Sequence, residues 1–136
     1  MKKSITLTLG LGALALSMSS TLPALAHHAV QAQFDVQEVR TLTGVMTKVE
    51  LINPHPYFHV DVPADDGQIQ SWAIESVALN ALRQAGLLKE LQTGREYTIE
   101  VHPARNGEPI ALMVAITLPS GQRLQMRTLD PALASQ

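Results

Sequence analysis

The spacing of apolar residues changes once along this chain, and that change constrains the fold more than any other feature. Three segments before Ser76 and two segments after Gly86 alternate apolar with polar side chains. Alternation with a period of two predicts β-strands that bury one face. Between Ser76 and Gly86 the apolar residues follow a helical spacing, with Ser76 as the expected N-cap and Gly86 as the expected end. The expected order is therefore three strands, one short helix and two strands.

The predicted strands cover residues 41–51, 57–62, 69–75, 96–102 and 110–118. In the first of them we expect Val45, Val49 and Leu51 to share the buried face, while Gly44 indicates a bulge or a close approach of another backbone. Prolines at positions 54 and 56 break the alternation after this strand, because neither has an N–H group to donate to a β-ladder. A bend that presents His55 is therefore expected between the first two strands.

Five strands with a short helix between the third and the fourth is the element order of an OB-type barrel. We therefore predict a mainly β fold with one short helix, a five-stranded OB-like barrel over residues 40–122, with an α+β sandwich as the alternative. An extended N-terminal arm is expected at 27–39, where little periodicity is evident, and a C-terminal tail at 123–136.

The first 26 residues have the three-part pattern of a secretory signal peptide. Lys2 and Lys3 give a positive start, an apolar stretch follows at 5–18, and small residues at positions 24 and 26 mark the expected cleavage site. The apolar stretch is shorter than the roughly 20 residues that a membrane-spanning helix needs. We therefore expect export to the periplasm, cleavage after Ala26 and no stable membrane anchor.

Charge and cysteine content restrict the functions open to the exported part. Without Lys2 and Lys3, 8 basic residues face 12 acidic residues, which gives a formal net charge of −4 with neutral histidines. That balance argues against nucleic acid and anionic membrane surfaces as partners. The chain has no cysteine, so disulfides and thiolate metal sites are excluded.

All five histidines lie in the exported part, and the pair at its start is the most informative. Cleavage after Ala26 gives His27 a free α-amine beside its own ring Nδ1, and these two nitrogens can chelate one metal ion. His28 offers a second arrangement, in which the amine, a backbone amide nitrogen and its own ring bind together. Nitrogen sets of this kind favour Cu(II), with Zn(II) second. The alternative is an arm without specific metal affinity.

Three further histidines and one carboxylate are candidates for the same metal site. His55 lies in the proline-flanked bend, whereas His59 and His102 point outward from strands. In a straight strand His55 and His59 are about 13 Å apart, too far to share a metal unless the bend brings them together. For each histidine the alternative is an ordinary solvated or packing side chain. Glu75 is placed to orient a ligating imidazole, and its alternative is a surface carboxylate.

Five short motifs follow one another along the exported part. They are His27-His28, Leu42-Thr43-Gly44, Asn53-Pro54-His55, Trp72-Ala73-Ile74-Glu75 and Leu118-Pro119-Ser120-Gly121. In this order and spacing they resemble a family of small exported bacterial proteins, a domain of unknown function. The resemblance implies export and the fold, and it implies no activity.

Two functions are the main hypotheses at this point, and an enzyme with an unrecognised site is the third. One is a periplasmic metal-binding protein that uses the new N-terminus and the other histidines. The other is an OB-type module that binds a small ligand or a periplasmic protein without a metal. The sequence has no G-x-S-x-G elbow, no H-E-x-x-H motif and no phosphate loop, so nothing points to an enzyme. Met46, Met113 and Met126 are scattered and form no closely spaced motif for Cu(I).

Overall fold

The computed structural model describes residues 30–129. The signal peptide predicted at 1–26, together with His27 and His28, lies outside the described residues. The strands are β1 (Arg40–Glu50), β2 (Tyr57–Pro63), β3 (Ile69–Glu75), β4 (Glu96–Pro103), β5 (Ile110–Thr117) and β6 (Arg123–Gln125). The helices are α1 (Leu79–Gln84), α2 (Met126–Leu129) and a 3₁₀ helix at Leu87–Lys89. Within the described range, no helix has the length and apolarity to cross a membrane.

Five of the strands close into a barrel. β1 pairs with β2 and β4, β2 pairs with β3, and β4 pairs with β5, all of them antiparallel. A parallel pairing between β3 and β5 joins the two ends of this sheet. The order around the barrel is therefore β1-β2-β3-β5-β4, with α1 between β3 and β4. This arrangement confirms the five-stranded OB-like barrel and rules out the sandwich.

The barrel interior is filled by the apolar residues that alternate along its strands, as the spacing predicts. Its largest side chains, each at most 6 % exposed, are Met46, Phe58, Trp72, Ile74, Tyr97 and Ile99. The Tyr97 hydroxyl donates a hydrogen bond to the carbonyl of Glu90 over 2.6 Å, so the polar end of this buried ring is satisfied. Leu79 and Leu82 of α1 are also buried and cover the core beside the barrel.

The first strand differs from its prediction in which residues it buries. Val45 and Leu51 are 40 % and 47 % exposed, whereas Leu42 and Met46 are buried. A β-bulge between Met46 and Lys48 shifts the pairing with β2 and exchanges the two faces of the strand. A single period of two cannot describe a strand that changes face, so Val45 is exposed whereas Val49, beyond the bulge, packs against the core. Leu51 is exposed because it follows Glu50, the last residue of β1. The expectation for Val45 and Leu51 is therefore wrong.

Gly44 of β1 lies close to the backbone of β2. A Cβ atom at this position would be 2.3 Å from the carbonyl oxygen of Asp61, a backbone atom that cannot move alone. We expect Gly44→Ala to lower the free energy of unfolding by about 1–3 kcal/mol, because the two strands must separate. Urea denaturation measures this, with exposed Val45→Ala as the control. Equal stability of Gly44→Ala and the native chain would contradict the close approach.

Two further expectations differ from the structure. Ser76 was expected to cap the helix, but α1 begins at Leu79 after Ala78, which makes no side-chain capping bond. Ser76 is instead 1 % exposed and points into the protein. Residues 123–129, expected to be part of a tail, form β6 against β5 and then α2, whose Met126 is 2 % exposed.

The expected N-terminal arm is described from residue 30 onward, and this part packs against the barrel. Residues 30–33 are helical, and Phe34 is 1 % exposed and forms a β-bridge with Ala104. The N–H group of Asp35 donates to the carbonyl of Pro103 over 2.8 Å. These contacts hold the segment across the end of β4 and make it one wall of a cleft.

Candidate functional site

A cleft of about 410 Å³ lies between the N-terminal segment, the outer face of the barrel and α2. Its walls are mostly apolar, and its polar lining residues include His55, Glu75, Ser76, His102 and Arg127. Two of the histidines singled out from the sequence thus face one cavity, together with the candidate carboxylate.

Strand register explains why these side chains meet on the outside of the barrel. Leu112 of β5 pairs with Glu75 of β3 on one side and with His102 of β4 on the other. Residues in register point to the same face of a sheet, and neighbouring strands are about 4.8 Å apart. The Cα atoms of Glu75 and His102 are therefore about 10 Å apart across Leu112. Tyr57 of β2 extends this row beyond Glu75.

The proline-flanked bend fixes His55 above Glu75. The carbonyl of Pro54 accepts the N–H of Leu79 over 3.2 Å, and the carbonyl of Pro56 accepts the N–H of Ser76 over 3.0 Å. These two bonds tie the bend to the segment that follows β3. The two prolines have no N–H group to donate to a β-ladder, but their carbonyls accept the hydrogen bonds that keep His55 at the cleft.

The imidazole of His55 is oriented by a carboxylate. Its Nδ1 lies 2.6 Å from Glu75 Oε1, and the Tyr57 hydroxyl donates to Glu75 Oε2 over 3.0 Å. An ionised carboxylate only accepts hydrogen bonds, so Nδ1 carries the proton and Nε2 keeps its lone pair when the ring is neutral. The Glu75 side chain is 18 % exposed and that of His55 43 %. Glu75 therefore hydrogen-bonds to the His55 ring and is mostly withdrawn from solvent.

The Glu75 carboxylate also affects the pKa of Tyr57. Partial burial raises the pKa of the Tyr57 hydroxyl above its ordinary value of 10.0, and the hydrogen bond to Glu75 and its negative charge raise the pKa further. Tyr57 thus remains a hydrogen-bond donor to Glu75 throughout the neutral range, which keeps Glu75 Oε1 directed at His55.

His102 is held in the same tautomer by a different partner. Its Nδ1 lies 2.7 Å from the backbone carbonyl oxygen of Glu38, in the N-terminal segment. Because a carbonyl can only accept, Nδ1 is the donor and Nε2 of the neutral ring is unprotonated. His55 and His102 therefore line one cleft with Nδ1 engaged and a lone pair on Nε2.

His59 is not among the residues that line the cleft. It pairs with Ala73 of β3 and with Lys48 of β1. Its Nε2 is buried without a hydrogen-bond partner, at 3.5 Å from Glu50 Oε1. Hydrogen bonding to Lys48 is the main cause that lowers the pKa of Glu50, with a smaller part from His59. His59 is therefore outside the cleft whose lining includes His55 and His102.

A complete metal site is absent from the described part of the chain. Among residues 30–129, no three His, Cys, Asp or Glu side chains are grouped closely enough to hold a metal ion. His27 and His28 lie outside the described residues. His55 and His102 are therefore not part of such a group of three within the described residues.

Two sulfur atoms and a hydroxyl in the cleft escaped the sequence analysis. The Ser76 Oγ lies 3.9 Å from the sulfur of Met113 and 3.8 Å from the sulfur of Met126. All three residues line the cleft. Met113 is on β5 and Met126 begins α2, so a search for closely spaced methionines could not find this pair. Finding this pair from the sequence would require predicting β6 and α2 in the segment expected to be a tail.

Comparisons with known proteins give one family and one similar structure. A model described as "Family of unknown function (DUF6152)" matches residues 15–113. No curated protein matches the chain. The crystal structure of the mitochondrial single-stranded DNA-binding protein Rim1 from S. cerevisiae is similar, with a TM-score of 0.48 and 16 % sequence identity. The match covers 60 % of this chain and 93 % of that one.

The expectation that nucleic acid is excluded as a partner is corrected, because it rested on the net charge alone. The similar chain is, by name, a single-stranded DNA-binding protein. Net charge is a sum over all residues, whereas single-stranded nucleic acid is bound by a local basic groove and by aromatic side chains. A formal charge of −4 therefore does not exclude such a partner, and the exclusion is withdrawn without assigning nucleic acid in its place.

Proposed function

This chain belongs to the family of unknown function DUF6152, and from that premise we propose that it is an exported metal-binding protein whose cleft binds one Cu(II) ion. The proposed donors are Nε2 of His55, Nε2 of His102, and the free amine and ring of His27 after cleavage behind Ala26. The proposal places the protein in the periplasm.

The observation that carries this proposal is the shared orientation of His55 and His102. A metal-binding imidazole usually donates its second N–H to a carboxylate or a backbone carbonyl, which fixes the ring and raises its basicity. His55 has the carboxylate of Glu75 in that position, and His102 has the carbonyl of Glu38. Two separate elements of the fold thus prepare two imidazoles in one cleft for the same role.

Chain length supports His27 as the source of the missing donors. Val30 lines the cleft, and His27 precedes it by three residues. Three residues of fully extended chain span at most about 11 Å. The amine and ring nitrogen of a cleaved His27 are therefore tethered within reach of the cleft, and His28 is the alternative donor.

The proposed donors favour copper over zinc. They are nitrogen atoms, and Cu(II) has the highest affinity among divalent first-row metals for such sets and accepts a square-planar arrangement. The carboxylate of Glu75 places negative charge beside His55, which offsets part of the charge of a bound cation. Zn(II) is expected to bind more weakly at the same place.

The test is a calorimetric titration of the secreted, cleaved chain with Cu(II) and with Zn(II). We expect one copper per chain, and at least a tenfold loss of affinity in His55→Ala and in His102→Ala, since removing even a partner of a ligand costs about 10–100-fold. His59→Ala is the matched control and should bind like the native chain. Native affinity in both His55→Ala and His102→Ala would overturn the proposal.

The Glu75 carboxylate provides a separate prediction. We expect Glu75→Gln to weaken Cu(II) binding by about 10–100-fold, because the amide no longer supplies the charge that holds the His55 ring. Asp61→Asn is the matched control, since Asp61 also accepts a hydrogen bond, from Ser71, on the outer face of the barrel. Equal copper affinity of the two variants would show that Glu75 has no orienting role.

A second candidate function is favoured by the size of the cleft. A volume of about 410 Å³ with mostly apolar walls is within the range of small-molecule sites, and Arg127 is among its polar lining residues. A module of this kind would bind a small ligand, or a segment of a periplasmic protein, without a metal. Its distinguishing result is ligand binding that survives a strong chelator and does not change in His27→Ala.

A further inference from the structure

We propose that the same cleft also binds Cu(I), through the thioether sulfurs of Met113 and Met126. This inference deepens the proposed function, since it adds a second oxidation state at the same site. Copper is bound in the state in which it arrives, and no electron transfer within the protein is involved.

The geometry begins with the convergence of the two sulfurs. Met113 follows Leu112 on β5, and because successive side chains of a strand alternate, it points inward in register with buried Val101. Met126 reaches the same place from α2. Both sulfur atoms are within 4 Å of one hydroxyl, that of Ser76, at 3.9 and 3.8 Å. The two sulfurs are therefore directed at one point, although thirteen positions separate their residues.

The chemistry of the lining selects the oxidation state. Thioethers are soft donors that favour Cu(I), while imidazole accepts both Cu(I) and Cu(II). Met113 and Met126 are 4 % and 2 % exposed, so an ion held there is largely withdrawn from water. His55 lines the same cleft as the sulfur pair.

Ser76 gives the proposal a specific internal check. The Ser76 hydroxyl is within hydrogen-bonding distance of both sulfurs and can donate its proton to either of them. These weak bonds engage sulfur lone pairs that Cu(I) would need. Ser76→Ala should therefore raise the Cu(I) affinity, whereas unchanged Cu(I) affinity in this variant would contradict competition between the hydroxyl and the ion.

The experiment is an anaerobic titration in which the cleaved chain competes for Cu(I) with a chromophoric chelator. Met113→Leu and Met126→Leu preserve volume and should each lose at least about tenfold in Cu(I) affinity, by analogy with the loss of other metal-site residues. Met46→Leu is the matched control, since Met46 is 0 % exposed inside the barrel. X-ray absorption of the Cu(I)-loaded native chain should show sulfur neighbours that decrease in both cleft variants.

Cu(II) titration of the same variants separates the two proposals. Native Cu(II) affinity with reduced Cu(I) affinity in Met113→Leu and Met126→Leu supports the thioether site. Native Cu(I) affinity in both variants, or a copper spectrum without sulfur, overturns it and leaves the Cu(II) proposal standing. Failure of the native chain to bind Cu(II), with methionine-dependent Cu(I) binding retained, overturns the histidine proposal instead.

Discussion

A four-residue Gly-Ser-Gly-Ser extension before His27 should lower the Cu(II) affinity of the secreted chain by about 100-fold or more, the upper range for loss of a metal-site group. The extension leaves both histidine rings of the N-terminal pair in place but moves the free amine away from the His27 ring. The chelate between the amine and ring Nδ1 is then lost. Calorimetry on chains whose new N-terminus is confirmed by intact mass measures the effect.

The length of the extension is chosen to avoid an artificial site. One or two added residues would put a histidine at the second or third position, where the amine and backbone amides chelate Cu(II) again. The same four residues added after Gln136 serve as the matched control. Native affinity in the N-terminally extended chain would exclude the amine, and binding by His55 and His102 would then need a different third donor.

Phe34→Ala should lower the free energy of unfolding by about 3–5 kcal/mol, the usual cost of truncating a buried phenylalanine. Phe34 is 1 % exposed and fixes the N-terminal segment to Ala104. The same segment carries the Glu38 carbonyl that orients His102. Urea denaturation and Cu(II) titration of one sample should therefore show both lower stability and weaker copper binding.

Val39→Ala provides the control for this prediction, because Val39 lies in the same segment but is 53 % exposed. Its stability should change by less than about 0.5 kcal/mol. A similarly small change in Phe34→Ala would mean that the segment is held by its backbone bonds to Pro103 and Arg105. Lower stability with native copper affinity would instead show that the N-terminal segment does not contribute to copper binding.

Much of the fold follows from local pattern. The alternation in β2, β3 and β4 correctly predicts which residues face the core, since each of these strands keeps one face inward along its buried part. The helical spacing after β3 predicts α1, and Gly86, with a φ of +71°, stands where the chain must leave the helix. Together these elements define the order of the barrel.

The remaining features depend on contacts between distant residues. The bulge after Met46 changes which face of β1 points inward. The local sequence Met-Thr-Lys gives no indication of it. Phe34 and Met126 are buried only because the segments on either side of the barrel fold back onto it. An isolated phenylalanine or methionine in a segment without periodicity gives no indication of such packing.

The sequence indicates the individual residues of the candidate site, but it does not indicate which of them lie together. The residue types and the bend identified His55, His102 and Glu75, but whether they converge depends on the pairing of β3 and β4 with β5. Parallel pairing of β3 with β5 follows from closure of the barrel and not from any short motif. The same closure places His59 outside the cleft lining.

The most direct test of the central claim is a crystal structure of the cleaved chain grown with one equivalent of Cu(II), with diffraction measured at the copper absorption edge. We expect one anomalous peak in the cleft, bonded to Nε2 of His55, Nε2 of His102 and the N-terminal nitrogens of His27. A cleft without a copper peak, or a single copper bound at His59 or elsewhere on the surface, would contradict it.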